Sequence, residues 1–191
     1  MKLKKLFLTA FVSALAFNAS FANAKSAYFE QELAKAKAGN YLAQFNVGTV
    51  YLAENNKDAL KWITQSAEQN FAGAQFVLGD IYSAGELVKQ NDAEALVWYR
   101  KAADKGFPLA QLRLGILYWQ GKTVNKDTQQ AVSWFEKAAY QGEPEAQFYL
   151  AKAYYSGEGV KQDKTQATEW VKKACGRTSL ASCDYYQRLT K

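Results

Sequence analysis

Few side chains in this sequence could do chemistry. The 191 residues include no histidine, which removes the commonest general base, the commonest metal ligand and every triad built on an imidazole. Cys175 and Cys183 lie eight residues apart, not at the C-x-x-C spacing of a typical redox-active pair. The stretch "SGEGVKQD", Ser156 to Asp163, sets two glycines near a lysine. A phosphate loop, however, follows a strand and usually opens a helix with Gly-Lys-Ser/Thr, whereas this stretch leaves a helical segment. Ser-x-x-Lys, Ser-Asp-Asn and Lys-Thr-Gly, which serine β-lactamases and penicillin-binding proteins require, are all missing. Glu94, Glu136, Glu158 and Glu169 fall on polar faces or in connectors, where solvation accounts for them. No nucleophile, base and oxyanion donor come together. The expectation is a non-enzyme with no catalytic, cofactor-binding or metal-binding residues and no cofactor.

The start of the chain carries a different signal. "MKLKK" is basic, "LFLTAFVSALAF" is an apolar run and "NASFANA" ends in a small-x-small triplet. This is the three-part layout of a secretory signal peptide, with cleavage expected after Ala24 and a periplasmic or secreted destination. The apolar run is short for a hydrocarbon core of about 30 Å, and no later segment is long and apolar enough to span one, so no membrane anchor is expected after cleavage. Residues 1–24 hold three lysines and no acid. The remaining 167 residues therefore carry 21 basic against 18 acidic side chains, a formal charge of +3. The basic residues are interleaved with acids, and nucleic acid is not an expected partner. With an even cysteine count in an oxidising compartment, one disulfide between Cys175 and Cys183 is expected.

The elements that position these residues repeat. "AQFVLGDIY" begins at Ala74, "AQLRLGILY" at Ala110 and "AQFYLAKAY" at Ala146, each 36 residues after the last. Trp62, Trp98, Trp134 and Trp170 keep the same step in "ALKW", "ALVW", "AVSW" and "ATEW". "AQFNVGTVY" at Ala43 opens a first unit only 31 residues before the second, which implies a loop shorter by five residues. Within a unit the apolar period is helical: Gln111, Leu114, Gly115 and Tyr118 share one face, and Ala131, Trp134, Phe135, Ala138 and Ala139 share another. Gly121 suits the left-handed position that stops the first helix. Asn91, Asp127 and Asp163 suit the caps of the second helices, and Pro144 suits a first turn. Each unit is predicted to be an antiparallel helix pair that stacks on its neighbours. Gly48, Gly79, Gly115 and Ala151 occupy one slot, where small side chains let two helix axes approach closely.

The pattern Ala-Gln-x-x-Leu-Gly-x-x-Tyr, a glycine-containing connector, then Ala-x-x-Trp-x-x-x-Ala-Ala-x-x-Gly resembles the Sel-1-like repeat, a relative of the tetratricopeptide repeat. The resemblance runs from about Ala43 to Cys175. It departs at "YLAENN", which lacks the connector glycine, and at Ala151. It implies an all-α fold, a right-handed α/α solenoid of four helix-pair repeats, with capping helices at both ends. The expected layout is a signal peptide at 1–24 and an N-terminal capping helix at 25–42. Repeats follow at 43–73, 74–109, 110–145 and 146–181, with a C-terminal capping helix at 182–191. The resemblance also implies a protein-interaction module, binding a protein or peptide partner as a monomer. The cysteine-rich Sel-1-like proteins of Helicobacter are similar in stapling helices with cysteines eight apart. Penicillin binding or β-lactamase activity has been attached to those relatives, which makes an envelope hydrolase the enzymatic alternative. A self-associating structural element is a third.

On one continuous helix Cys175 and Cys183 would lie about 12 Å apart at 1.5 Å per residue, too far for a bridge. A turn in "GRTSL" is needed to bring them together, and closing so short a loop stabilises by roughly 2–3 kcal/mol.

A partner site is expected on the second face of the first helices. In the third unit that face carries Leu112, Ile116 and Trp119. Its equivalents are Phe45, Thr49 and Leu52; Phe76, Asp80 and Ser83; and Phe148, Lys152 and Tyr155. In tetratricopeptide-type solenoids the matching face lines the binding groove. The expected partner-binding residues are Phe76, Asp80, Leu112, Ile116, Trp119, Phe148, Lys152 and Tyr155. The Phe/Leu ladder has a competing role in packing between units. Trp119 and Tyr155, near the helix ends, are the ones expected to stand exposed as interface anchors.

Overall fold

The computed structural model describes residues 19–175, 183–185 and 187, with side-chain surroundings from residue 27 onward. Among the described residues every regular element is a helix. The chain divides into two compact units, residues 1–74 and 75–191.

The first unit holds α1 (Ala19–Lys37), α2 (Tyr41–Ala53) and α3 (Asp58–Glu68). The position expected for signal cleavage, after Ala24, falls within α1; residues 1–18 lie outside the described residues. Ala36, Ala43, Val47 and Trp62 form the core here, with Phe29, Leu33 and Tyr51 against it. The Asn40 side chain caps α2 by accepting from the Ala43 amide at 2.9 Å. Gln44 Nε2 donates to the Ala36 carbonyl at 3.2 Å, and Gln69 Nε2 to Gln44 Oε1 at 2.7 Å. Glu32, only 7% exposed, accepts from Lys35 Nζ at 2.8 Å and from Asn46 Nδ2 at 3.0 Å. Those two hydrogen bonds hold its carboxyl below the ordinary carboxylate range.

The short first repeat is not explained by its loop alone. The connector 54–57 is three residues shorter than 85–91 in the next repeat, and α3 has 11 residues where its counterpart has 13. Helix and loop share the deletion. Asn55 (φ 54°) turns the chain left-handed in this connector, and Asn70 (φ 68°) does so at the slot that Gly106 and Gly142 fill later. Asparagine tolerates that region better than other side chains with a Cβ.

The second unit contains most of α4 (Ala72–Ala84), then α5 (Asp92–Asp104), α6 (Pro108–Gln120), α7 (Thr128–Tyr140), α8 (Pro144–Ser156) and α9 (Lys164–Cys175). The caps fall where the spacing places them. Asn91 accepts from Glu94 N at 3.1 Å, Asp127 from Gln130 N at 2.9 Å and Asp163 from Gln166 N at 3.0 Å. Pro108 and Pro144 open α6 and α8, and Gly121 (φ 66°) and Gly157 (φ 74°) end them in the left-handed conformation. The glutamine arrangement of the first unit recurs: Gln111 donates to Ala103 O, Gln147 to Ala139 O, and Gln141 to Gln111 Oε1. A main-chain carbonyl of one helix pair is thereby tied to the pair that follows.

The shared small slot is a close helix contact. A Cβ on Gly79 would lie 2.6 Å from the Tyr99 ring, and one on Gly115 would run into the ring of Phe135. Phe135, Leu78, Leu112, Leu114 and Leu150 are the largest fully buried aliphatic and aromatic side chains of this unit among the described residues. At the end of α9, Cys175 is bridged to Cys183 with a Cα–Cα distance of 4.6 Å. Residues 176–182, where a turn in "GRTSL" is expected, lie outside the described residues. So does most of the expected capping helix 182–191, of which Cys183–Tyr185 and Gln187 are helical.

Candidate functional site

The first helices of the second unit, α4, α6 and α8, carry every residue expected to meet a partner, and the structure separates them into distinct roles. Leu112 is a correction. It is 2% exposed and belongs to the core cluster with Phe135, Leu150 and Trp170, so it offers no surface to a partner. The cluster that encloses it is built from α7, α8 and α9. Phe76 is half-buried, with ring centroids 5.3 Å from Phe107 and 5.9 Å from Tyr99. It serves largely as packing.

Ile116, Trp119 and Phe148 are half-buried against one cluster and keep an outer edge. Trp119 does not stand free, as its helix-end position suggested; its ring lies 5.9 Å from that of Phe135. Tyr155 is 40% exposed. Lys152 is exposed, with its ammonium 6.0 Å from the Phe148 ring and 5.8 Å from that of Tyr149.

Asp80 takes the same slot as Ile116 and Lys152 but is engaged within the protein. Its Oδ1 accepts from the Tyr99 hydroxyl at 2.7 Å and lies 3.6 Å from Arg113 Nε. Although 41% of the Asp80 side-chain surface stays open, desolvation raises its carboxyl above the ordinary range, against the pull of Arg113 and the Tyr99 hydrogen bond. Tyr99, 3% exposed, is pushed far upward by burial and by the Asp80 charge. Asp80, Tyr99 and Arg113 thus form one contact network between α4, α5 and α6.

Three residues of this surface were not singled out from the sequence. Arg113 pairs with Asp80, Tyr149 lies under Lys152, and Tyr185 stands edge-on to Phe148 at 5.4 Å and to Tyr155 at 6.1 Å. Burial raises the Tyr185 hydroxyl's pKa. A signal for the first two exists: Val77, Arg113 and Tyr149 occupy one slot in successive repeats, and the slot changes character each time. Tyr185 has no such signal, because it sits beyond the last repeat. Among the described residues no three His, Cys, Asp or Glu side chains gather as a metal site would require. No helix there is long and apolar enough to cross a membrane.

The sequence model of the Sel1 repeat matches residues 42–71, 72–107, 108–143 and 144–177. The chain belongs to the Sel1 repeat family. Its fold class is thus the all-helical α/α repeat of that family, whose members generally work by protein–protein interaction. Among solved structures, it is 39% identical to a protective antigen of uropathogenic Escherichia coli strains with an SLR fold, at a TM-score of 0.78. That match covers 81% of this chain and 34% of the antigen. A Sel1 repeat protein of Oxalobacter formigenes is 32% identical, also at 0.78, over 84% of this chain and 48% of its own. This Sel1 chain therefore spans about a third and about half of those two proteins. Helicobacter pylori cysteine-rich protein B is 26% identical at a TM-score of 0.53, over 68% of this chain and 96% of its own. No curated protein sequence matches the chain.

Proposed function

We propose that this Sel1 repeat protein is a non-enzymatic interaction module of the bacterial periplasm or of the secreted fraction. A protein or peptide partner binds on the face that α4, α6 and α8 present. The observation that carries this reading is the contrast between slots on one helix. The inward slots repeat as Ala, Gln, Leu and Gly or Ala, whereas the outward slot reads Asp80, Ile116 and Lys152 and the one beyond it Ser83, Trp119 and Tyr155. Core packing demands repetition; recognition of a particular partner demands difference. Partly exposed aromatic side chains such as Trp119 and Tyr155 are among the residue types enriched as interface anchors.

Export rests on two supports, the signal-like layout of residues 1–24 with cleavage after Ala24, and the Cys175–Cys183 bridge, which suits an oxidising compartment. The relative in uropathogenic E. coli is a protective antigen, which fits an exported destination for this chain as well.

Crosslinking in intact cells, followed by identification of the adduct and affinity measurement with Trp119→Ala and Tyr155→Ala, tests the proposal. Each variant is expected to weaken the partner at least tenfold while the helical content survives. Unchanged affinity in both overturns it. An adduct consisting only of a second copy of the chain would replace it with a self-associating role.

A further inference from the structure

We infer that the partner segment is acidic, its carboxylates meeting Lys152 and Lys164 while its apolar side chains lie along Tyr155 and Trp119. This rests on the interaction face described above and names the chemistry of its occupant. Among the described lysines that lack both an ion pair and a close ring contact, Lys152 and Lys164 are the ones that approach aromatic rings on or beside the proposed face. Lys35 and Lys126 are ion-paired, with Glu32 and Glu158, at 2.8 Å. Lys101, Lys137 and Lys173 recur on the second helices, their ammoniums seated 3.7–3.9 Å above Trp98, Trp134 and Trp170, within the reach of a cation–π contact.

Lys152 and Lys164 belong to neither. Among the described residues neither has an ion pair. Both stand 5.8–6.0 Å from the rings they approach, Lys152 over Phe148 and Tyr149 and Lys164 over Tyr155, near the limit of that contact. Their three donors each are therefore largely unspent. Glu158 is paired with Lys126, and Asp163 accepts from the Gln166 amide. Two exposed ammoniums without an ion pair among the described residues thus border Phe148, Tyr149 and Tyr155. A carboxylate-bearing segment supplies a counter-charge there, at an aromatic surface where the ion pair is less screened than in open water.

A peptide fits this surface better than an anionic bilayer does. Ile116, Trp119 and Phe148 are half-buried against the core cluster, so this face has no projecting apolar ridge to insert between lipids. Two ammoniums beside a recessed aromatic floor match an extended chain in which acidic and apolar side chains alternate.

The test is selection from a randomised twelve-residue peptide library against the oxidised, mature-length protein. The expected binders are enriched in Asp and Glu flanking aromatic or aliphatic residues. Their affinity falls at least tenfold when their acids are changed to amides, and it falls as much in the Lys152→Gln/Lys164→Gln variant. Binders that lose affinity in Tyr155→Ala but show no acidic enrichment overturn the inference and leave the interaction face standing. No binders, or binders indifferent to Trp119→Ala and Tyr155→Ala, overturn both. Tighter Lys152-dependent binding to vesicles of phosphatidylglycerol and phosphatidylcholine than to any selected peptide overturns it in favour of a lipid surface.

Discussion

Tyr185 stands edge-on to Phe148, ring centroids 5.4 Å apart and planes at 80°. Two residues before it, Cys183 is tied to the end of α9. The bridge thus anchors, at the boundary of the proposed interaction face, an aromatic ring that no repeat supplies. Replacing both cysteines by serine is expected to lower stability by roughly 2–3 kcal/mol, the effect of opening a short loop. Tyr185→Ala with the bridge intact is expected to cost less. Urea unfolding followed by tryptophan emission measures both, and a double-serine variant as stable as the parent would contradict the account.

The Gly115 slot makes a second prediction. A Cβ there meets the Phe135 ring, so Gly115→Ala incurs an overpacking cost of about 1–3 kcal/mol. Against it stands a helix-propensity gain of about 1 kcal/mol. The net expectation is a lowered melting temperature. One repeat on, Ala151 holds the same slot and Val171 the slot of Phe135, both fully buried. There the larger helix residue faces the smaller neighbour, and Ala151→Gly is expected to destabilise too. Thermal unfolding by circular dichroism distinguishes this from simple helix propensity, which would make Gly115→Ala stabilising.

Leu112 and Tyr155 are expected to part company. Leu112→Ala removes a side chain that is 2% exposed and is expected to cost about 2–5 kcal/mol. Tyr155→Ala, at a site 40% exposed, is expected to cost less than about 1 kcal/mol while weakening the partner. Stability and affinity measured on the same two variants check the division.

Glu32 gives the first unit an acid-sensitive contact. Its folded-state pKa is lowered by Lys35 and Asn46 from an ordinary value of 4.5. The stability it adds is therefore complete above that value and is lost as pH falls through the folded-state pKa. Relative to the parent, Glu32→Gln is expected to be less stable near neutral pH, with the gap closing as pH falls below 4.5 and through the lowered folded-state pKa. Urea midpoints at several pH values read the gap; one that widens toward low pH would contradict the assignment.

Much of this architecture was legible in the spacing. The caps Asn91, Asp127 and Asp163 and the stop Gly121 are local, governed by a few backbone hydrogen bonds and one φ angle, so sequence reveals them. The small slot at Gly79 and Gly115 was legible for the same reason of strict repetition. The surface was less so. Leu112 and Ile116 sit one helical turn apart on one stripe, yet one is buried and the other half-buried. How deeply neighbouring helices cover each position of a stripe is a tertiary matter, which periodicity within a helix does not encode. The Asp80–Arg113 pair joins two repeats, and Tyr185 arrives through the disulfide, so neither follows from the period of a single unit.

The most direct test of the interaction face uses a photoreactive amino acid at single positions in cells of the source bacterium. Position 155 lies on the proposed face. Tyr140, 76% exposed on the second helix α7, is the control. The account predicts a discrete adduct with one heterologous protein from position 155, absent from position 140 and suppressed by Lys152→Gln/Lys164→Gln. An adduct formed from position 140 and not from 155 would contradict it.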